Sequence, residues 1–197
     1  MRDVRPQSEE LPEAALAAAR DGDPHAFTAL VGHYDPRLRT LAFHLLGDPH
    51  LTDDALQDVY LKAFRALPDF AGRSALSTWL GRITYTTCMD HLRRRARLVP
   101  VPDLEPQQAL PDEPDPTEGM SDRRHVRDLL RLLPPEQRAV VVLVGVQGLD
   151  YRQAAEILGV PSGTVASRLS TARAVLRNAL RGGGDESAAD IIEEVKS

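Results

Sequence analysis

A chain of 197 residues with 42% hydrophobic and only 5% aromatic residues suits two small domains whose cores are built from Leu, Ala, Val and Ile. No apolar run approaches the ~20 residues of a membrane span, and the N-terminus lacks the apolar segment of a signal peptide, so no membrane insertion and a cytoplasmic location are expected. One cysteine, Cys88, and six scattered histidines offer neither a disulfide nor a metal-ligand spacing, and no metal or other cofactor is expected. The net charge of −5 is mildly unlike a nucleic-acid binder, but its distribution matters more.

In chain order, Pro12 to Arg20 is alanine-rich with proline in its first turn, a good helix start. Asp23-Pro24 opens a second helix with Phe27, Leu30, Val31 and Tyr34 at helical spacing. Pro36 is expected to begin a third, carrying Leu38, Leu41, Ala42, Leu45 and Leu46, stopped at Gly47-Asp48-Pro49. Thr52 is the expected cap of a fourth, with Asp53 and Asp54 in its positive first turn. Its buried face would be Ala55, Leu56, Val59, Ala63, Phe64 and Leu67. After a loop at Asp69 to Arg73, a long helix is predicted from about Ser74 to Arg95, with Leu76, Trp79, Leu80, Ile83, Thr87 and Leu92 on one side. Cys88 falls on its apolar stripe and is expected to be buried.

Leu98 to Asp122 contains six prolines and many acids, which disfavours helix and core alike. It reads as a flexible Pro/acid-rich linker over 98–121, separating a domain at 10–97 from one at 122–181, with an acidic tail at 182–197 expected to be disordered. The fold class is all-α, two small helical domains. In the second, Pro134-Pro135-Glu136 opens a helix that Val140 to Val144 continues.

Tyr151 to Leu176 is the strongest local signal. A helix ends at Leu158, Gly159 suits a left-handed turn, and Pro161-Ser162 begin a second helix with Ser162 as its expected cap. Val165, Leu169, Ala172 and Leu176 face inward. This is a helix-turn-helix, whose second helix enters the major groove. The arginines gather in two stretches. Arg82, Arg93, Arg94, Arg95 and Arg97 stand against one acid, Asp90; Pro161 to Gly184 carries Arg168, Arg173, Arg177 and Arg181 and no acid.

Both domains together resemble extracytoplasmic-function sigma factors of bacterial RNA polymerase. AFTALVGHYDPRLRTLAFHLLGD, DDALQDVYLKAF, LPDFAGRSALSTWLGRI and CMDHLRRR resemble sigma region 2 over 26–97. LPPEQRAVVVLVGVQGLDYRQAAEILGVPSGTVASRL, with Ala172-Arg173, resembles region 4 over 125–181. The resemblance implies a sigma factor, not an enzyme, that binds core RNA polymerase and promoter DNA, as duplex and as melted non-template strand, and that is restrained by an anti-sigma partner. It places polymerase docking on Asp54, Gln57, Asp58, Leu61 and Lys62. It places minus-ten recognition on Phe70, Gly72, Arg73, Ser74, Trp79, Arg82, Thr86, Asp90, Arg93 and Arg94. Minus-thirty-five recognition falls to Ser162, Thr164, Ala166, Ser167, Arg168, Thr171 and Arg173. Taken alone, Trp79 and Tyr85 suit packing. Ala166, Ser170 and Thr171 are small where relatives carry larger or basic side chains, and Thr86 replaces an amide. A stand-alone helix-turn-helix regulator would explain the second domain equally well but not the arginine-rich helix of the first.

Overall fold

The computed structural model describes residues 13–98 and 126–183. The expected linker and acidic tail lie almost wholly outside those residues. Every regular element among the described residues is helical, as composition and periodicity implied.

Helix α1 (Glu13–Arg20) ends at a turn where Gly22 takes φ 92. Helix α2 (Pro24–Leu46) starts because the Asp23 carboxylate accepts from the His25 and Ala26 N–H groups with proline at N1. It runs as one helix of 23 residues, where two divided at Pro36 were expected. Pro36 and Gly32, whose carbonyl loses its helical donor, both lie on the exposed side, where solvent can take the place of the lost bond. Leu30 and Val31 before the proline and Leu38, Leu41, Ala42 and Leu45 after it are buried in one stripe, so packing on both sides holds the helix together.

Helix α3 (Pro49–Ala66) is capped by Asp48, whose side chain accepts from Leu51 N–H, rather than by Thr52. Asp followed by proline is the better start. Thr52 is buried one turn in, its hydroxyl donating to the Asp48 carbonyl at 2.7 Å. Helix α4 (Leu76–Leu98) follows, with Leu80, Thr84, Tyr85, Thr87 and Cys88 buried. Burial pushes the Cys88 thiol up to about 12, as its place on the stripe implied.

The second half begins with a helical turn at 126–131. Helix α5 (Pro135–Val141) passes directly into a π-helical turn (Val142–Val146). Helix α6 (Tyr151–Leu158) opens with a capping box, Asp150 and Gln153 each bonding the other's backbone N–H, and stops at Gly159 in the left-handed conformation, φ 68. Helix α7 (Ser162–Gly183) follows. Ser162 is its first helical residue, not its cap; the Pro161 carbonyl accepts from Thr164 and Val165.

Helices α2, α3 and α4 pack on one another with α1 against α2, and α5, α6 and α7 form the second group. The groups are not apart. Helix α6 lies along α4 and α5 against α2, and the buried side chains of both halves form one continuous apolar core.

Candidate nucleic-acid interface

The outward face of α3 presents Asp54, Gln57 and Leu61, the leucine 54% exposed. Phe64, expected inside, is 40% exposed and packs edge-to-face with Phe27, with ring centroids 5.0 Å apart. It therefore extends this partly apolar face. The other two docking candidates turn toward α4. Asp58 is half-buried with its carboxylate 3.0 Å from His91 Nε2. Lys62 Nζ donates to Thr87 Oγ1 at 2.9 Å. These two contacts tie α3 to the arginine-bearing α4.

The loop between α3 and α4 is fixed at its base by Phe70. That ring is only 8% exposed and lies 5.1 Å from the Trp79 ring. Phe70 is therefore a core anchor and offers no stacking face in this conformation, contrary to its expected place among the DNA contacts. Trp79 is half-buried against the core, in keeping with packing. The loop projects Gly72, in the left-handed conformation at φ 67, and Arg73 into solvent, with Ser74 half-buried.

On α4, Arg82, Thr86, Arg93 and Arg94 are exposed and Asp90 is half-buried. The Thr86 hydroxyl donates back to the Arg82 and Ile83 carbonyls. Arg93 pairs with Asp90 and holds its carboxyl below the usual carboxylate range. Arg95 and Arg97 are exposed too, so the last two turns of α4 form a cationic end suited to backbone phosphate. On α7, Ser162, Ser167 and Thr171 are exposed, whereas Thr164, Ala166, Arg168 and Arg173 are half-buried. The Ser167 and Thr171 hydroxyls donate to carbonyls a turn earlier, and their oxygens remain free to accept.

One juxtaposition joins residues assigned to separate tasks. Tyr85 of α4 lies beside Arg168 of α7. Burial, and then the nearby Glu136 carboxylate, raise the pKa of that phenol, while Arg168 opposes them. Gly81 of α4, buried, faces Ile157 of α6, and Arg82 lies beside Gly159.

Residues 30–98 match the sigma-70 region 2 family and residues 123–176 the sigma-70 region 4 family. The chain is 39% identical over 165 residues to the ECF RNA polymerase sigma factor SigM of Mycobacterium tuberculosis, covering 84% of this chain and 82% of that one. It belongs to the ECF sigma factors of RNA polymerase. The ECF RNA polymerase sigma-E factor of Escherichia coli K12 is 32% identical over 185 residues, 87% of this chain and 95% of the relative. Among solved structures, CnrH in complex with the cytosolic domain of CnrY superposes with TM-score 0.65 at 27% identity, over 86% of this chain and 96% of that one. The sigma factor RpoE of Bartonella quintana, in complex with the anti-sigma factor NepR, gives TM-score 0.62 at 27% identity, over 79% and 96%. Sigma factors direct RNA polymerase to promoters and catalyse nothing themselves, so this chain is not an enzyme. The stand-alone regulator reading falls with the region 2 match.

Sequence reasoning passed over Arg138, Gly81 and Ile157. A glycine inside an otherwise apolar helix signals close approach by another backbone or side chain, and that signal was present at Gly81. Nothing local marked Arg138.

Proposed function

We propose that this sigma factor divides its work among three helices. The outward face of α3, with Asp54, Gln57 and Leu61 exposed and Phe64 beside them, docks on core RNA polymerase. The loop at Gly72 to Ser74 and the exposed side of α4, with Arg82, Thr86, Arg93 and Arg94, hold the melted minus-ten strand. Helix α7 reads the minus-thirty-five duplex through Ser162, Thr164, Ser167, Arg168, Thr171 and Arg173. One observation carries this reading. The cationic end of α4 belongs to the first helical group and the helix-turn-helix of α6 and α7 to the second, so the chain has two distinct cationic elements, with an uncommitted docking face on α3 ahead of both in sequence.

Strand opening then draws on binding energy, since unstacking a base costs a few kcal/mol and phosphate neutralisation by arginines returns it in a salt-dependent way. The chain works in the cytoplasm; no helix among the described residues is long and apolar enough to cross a membrane. The two solved relatives, each bound to a second protein, support an anti-sigma partner here as well. The experiment is a pull-down of purified core RNA polymerase with the full chain, Asp54→Arg and Leu61→Ala. Retention that both substitutions weaken is expected. Equal retention by all three would remove α3 as the docking helix.

A further inference from the structure

Polar side chains between the helices make contacts of two kinds. In the first, a cation ends on backbone carbonyls. Arg138 of α5 is half-buried, and its guanidinium has five N–H donors in a fixed fork. Nε donates to Leu130 O at 2.9 Å; Nη1 to Leu45 O at 2.9 Å and His44 O at 3.3 Å; Nη2 to Leu133 O at 3.0 Å and Arg131 O at 3.4 Å. Leu45 and His44 lie in the last turn of α2, whose carbonyls no helical donor reaches. All five donors are taken, so this fork is committed to the fold.

The second kind joins side chain to side chain between α3 and α4. Asp58 and Lys62 stand one turn apart on α3, and Thr87 and His91 one turn apart on α4. Asp58 Oδ2 lies 3.0 Å from His91 Nε2, and Lys62 Nζ donates to Thr87 Oγ1 at 2.9 Å. An ionised carboxylate only accepts, so Nε2 carries the proton. The order reverses, 58 with 91 and 62 with 87, as antiparallel helices require. The two sides differ in exposure. Thr87 is fully buried and the His91 side chain is 13% exposed. The Asp58 side chain is 44% exposed, and Lys62 is exposed. Helix α4 thus holds both side chains from beneath and leaves their outer atoms to solvent.

Packing does not require these two rungs. Helices α3 and α4 already meet through the apolar core, with Ala63 among the buried residues of α3 and Leu80 and Cys88 among those of α4. A partly exposed ion pair adds little stability, and ordering a lysine costs side-chain entropy. What the rungs do is fix direction. A side chain already ordered in the free chain does not lose that freedom again on binding. Asp54 is exposed one turn before Asp58, and carboxylates at that spacing repel each other on a helix. A cation arriving from outside relieves the repulsion. The face therefore fits a protein surface that brings a cation to Asp54 and Asp58 and an anion to Lys62, with the exposed Leu61 between them.

We propose that His91 and Thr87 are positioning residues of the polymerase-docking site: from α4 they hold the Asp58 carboxylate and the Lys62 ammonium aimed outward, set in advance for opposite charges on core RNA polymerase. The proposal rests on the docking role proposed above for α3. It extends that role to two side chains whose direction α4 controls.

The test titrates purified core RNA polymerase into the full chain, labelled at its N-terminus, and reads affinity by fluorescence anisotropy. Asp58→Ala should bind at least about tenfold more weakly, since it removes one partner of a charge pair. His91→Ala should bind roughly two- to tenfold more weakly, the penalty of ordering a freed side chain. His91→Gln, whose amide N–H takes the place of Nε2–H, should recover most of that loss. In an Asp58→Ala background, His91→Ala should weaken binding no further. A merely structural His91 would give the same loss with and without Asp58, and that result overturns the proposal, as does parental affinity in His91→Ala. Thr87→Val keeps the buried shape and removes the hydroxyl, so it carries the test through Lys62 if His91→Ala fails to fold. Its loss should be of the same size and absent in a Lys62→Met background; a loss that persists there overturns this arm. Asp54→Arg and Leu61→Ala separate the two ideas. If they weaken binding while His91→Ala and Thr87→Val do not, α3 docks without positioning from α4. If neither they nor Asp58→Ala weaken it, the docking role of α3 falls and the positioning role with it.

Discussion

Two helices of this sigma factor stop at a left-handed glycine, and each glycine is overlaid by an arginine from the other half of the chain, yet the two arginines are held differently. At the end of α2, Gly47 (φ 69) has Arg131 Nε 3.2 Å from where a Cβ would stand, and that half-buried guanidinium donates to the Gly47 carbonyl. At the end of α6, Gly159 (φ 68) has Arg82 Nη2 at 3.7 Å, and Arg82 is exposed. Arginines on the carbonyl side of the contact are committed to backbone, while the arginine on the α4 side is left available for phosphate. At this pair of glycines the two cations differ by environment and not by residue type: Arg131 is bound to a carbonyl and Arg82 is open to solvent.

The largest expected effect tests the committed side. Arg138→Ala leaves carbonyls at both ends of the fork without a donor, and urea unfolding should show a loss of about 2–4 kcal/mol; a loss below about 1 kcal/mol would mean that water satisfies them. Next, Gly47→Ala and Gly159→Ala both force alanine into the left-handed region, at about 1–2 kcal/mol. Gly47→Ala should cost more, near the upper end or beyond, because it also displaces Arg131. Equal midpoint shifts for the pair would erase the contrast.

A smaller effect is a pH dependence. Burial, and then the charge of Arg138, hold His44 below its ordinary 6.5. The unfolded chain therefore binds that proton more readily, so this contribution is complete above about pH 6.5 and is lost as pH falls below it. His44→Gln should flatten the decline of stability between neutral and mildly acidic pH; a decline of the same steepness would assign it to other groups. The smallest stability effect is expected at Arg82. Its alanine variant should unfold within about 0.5 kcal/mol of the parent and still bind DNA less tightly, with a shallower salt dependence.

The helices themselves were legible because each carries its own period and caps. The helix-turn-helix was read correctly down to Gly159, since a glycine between two amphipathic stretches has one good use. Where local rules failed, a neighbour decided. Pro36 did not break α2, because buried residues on both sides of it pack continuously and the freed carbonyl faces water. Thr52 lost the cap to Asp48-Pro49. Phe64 and Phe70 exchanged expectations: the helical stripe placed Phe64 inside and the loop placed Phe70 outside. Yet Phe70 fills the base of the loop against Trp79, and Phe64 is left half-open on the α3 face. Of the residues proposed to dock on polymerase, Asp54, Gln57 and Leu61 are exposed. Asp58 and Lys62 lie one step round the helix, where α4 supplies His91 and Thr87.

By itself the sequence determined the helical class, the order of the two groups, the helix-turn-helix and the clustering of arginines, because periodicity, caps and charge are properties of neighbouring residues. Only the tertiary structure decided that the two groups share one core, that Gly81 receives Ile157, and that Arg138 reaches the end of α2. Its bonds to His44 and Leu45 join residues 94 and 93 positions apart, and no local pattern records a partner at that distance. A guanidinium reads the same in sequence whether it meets carbonyls, a carboxylate or phosphate; burial and geometry choose among them.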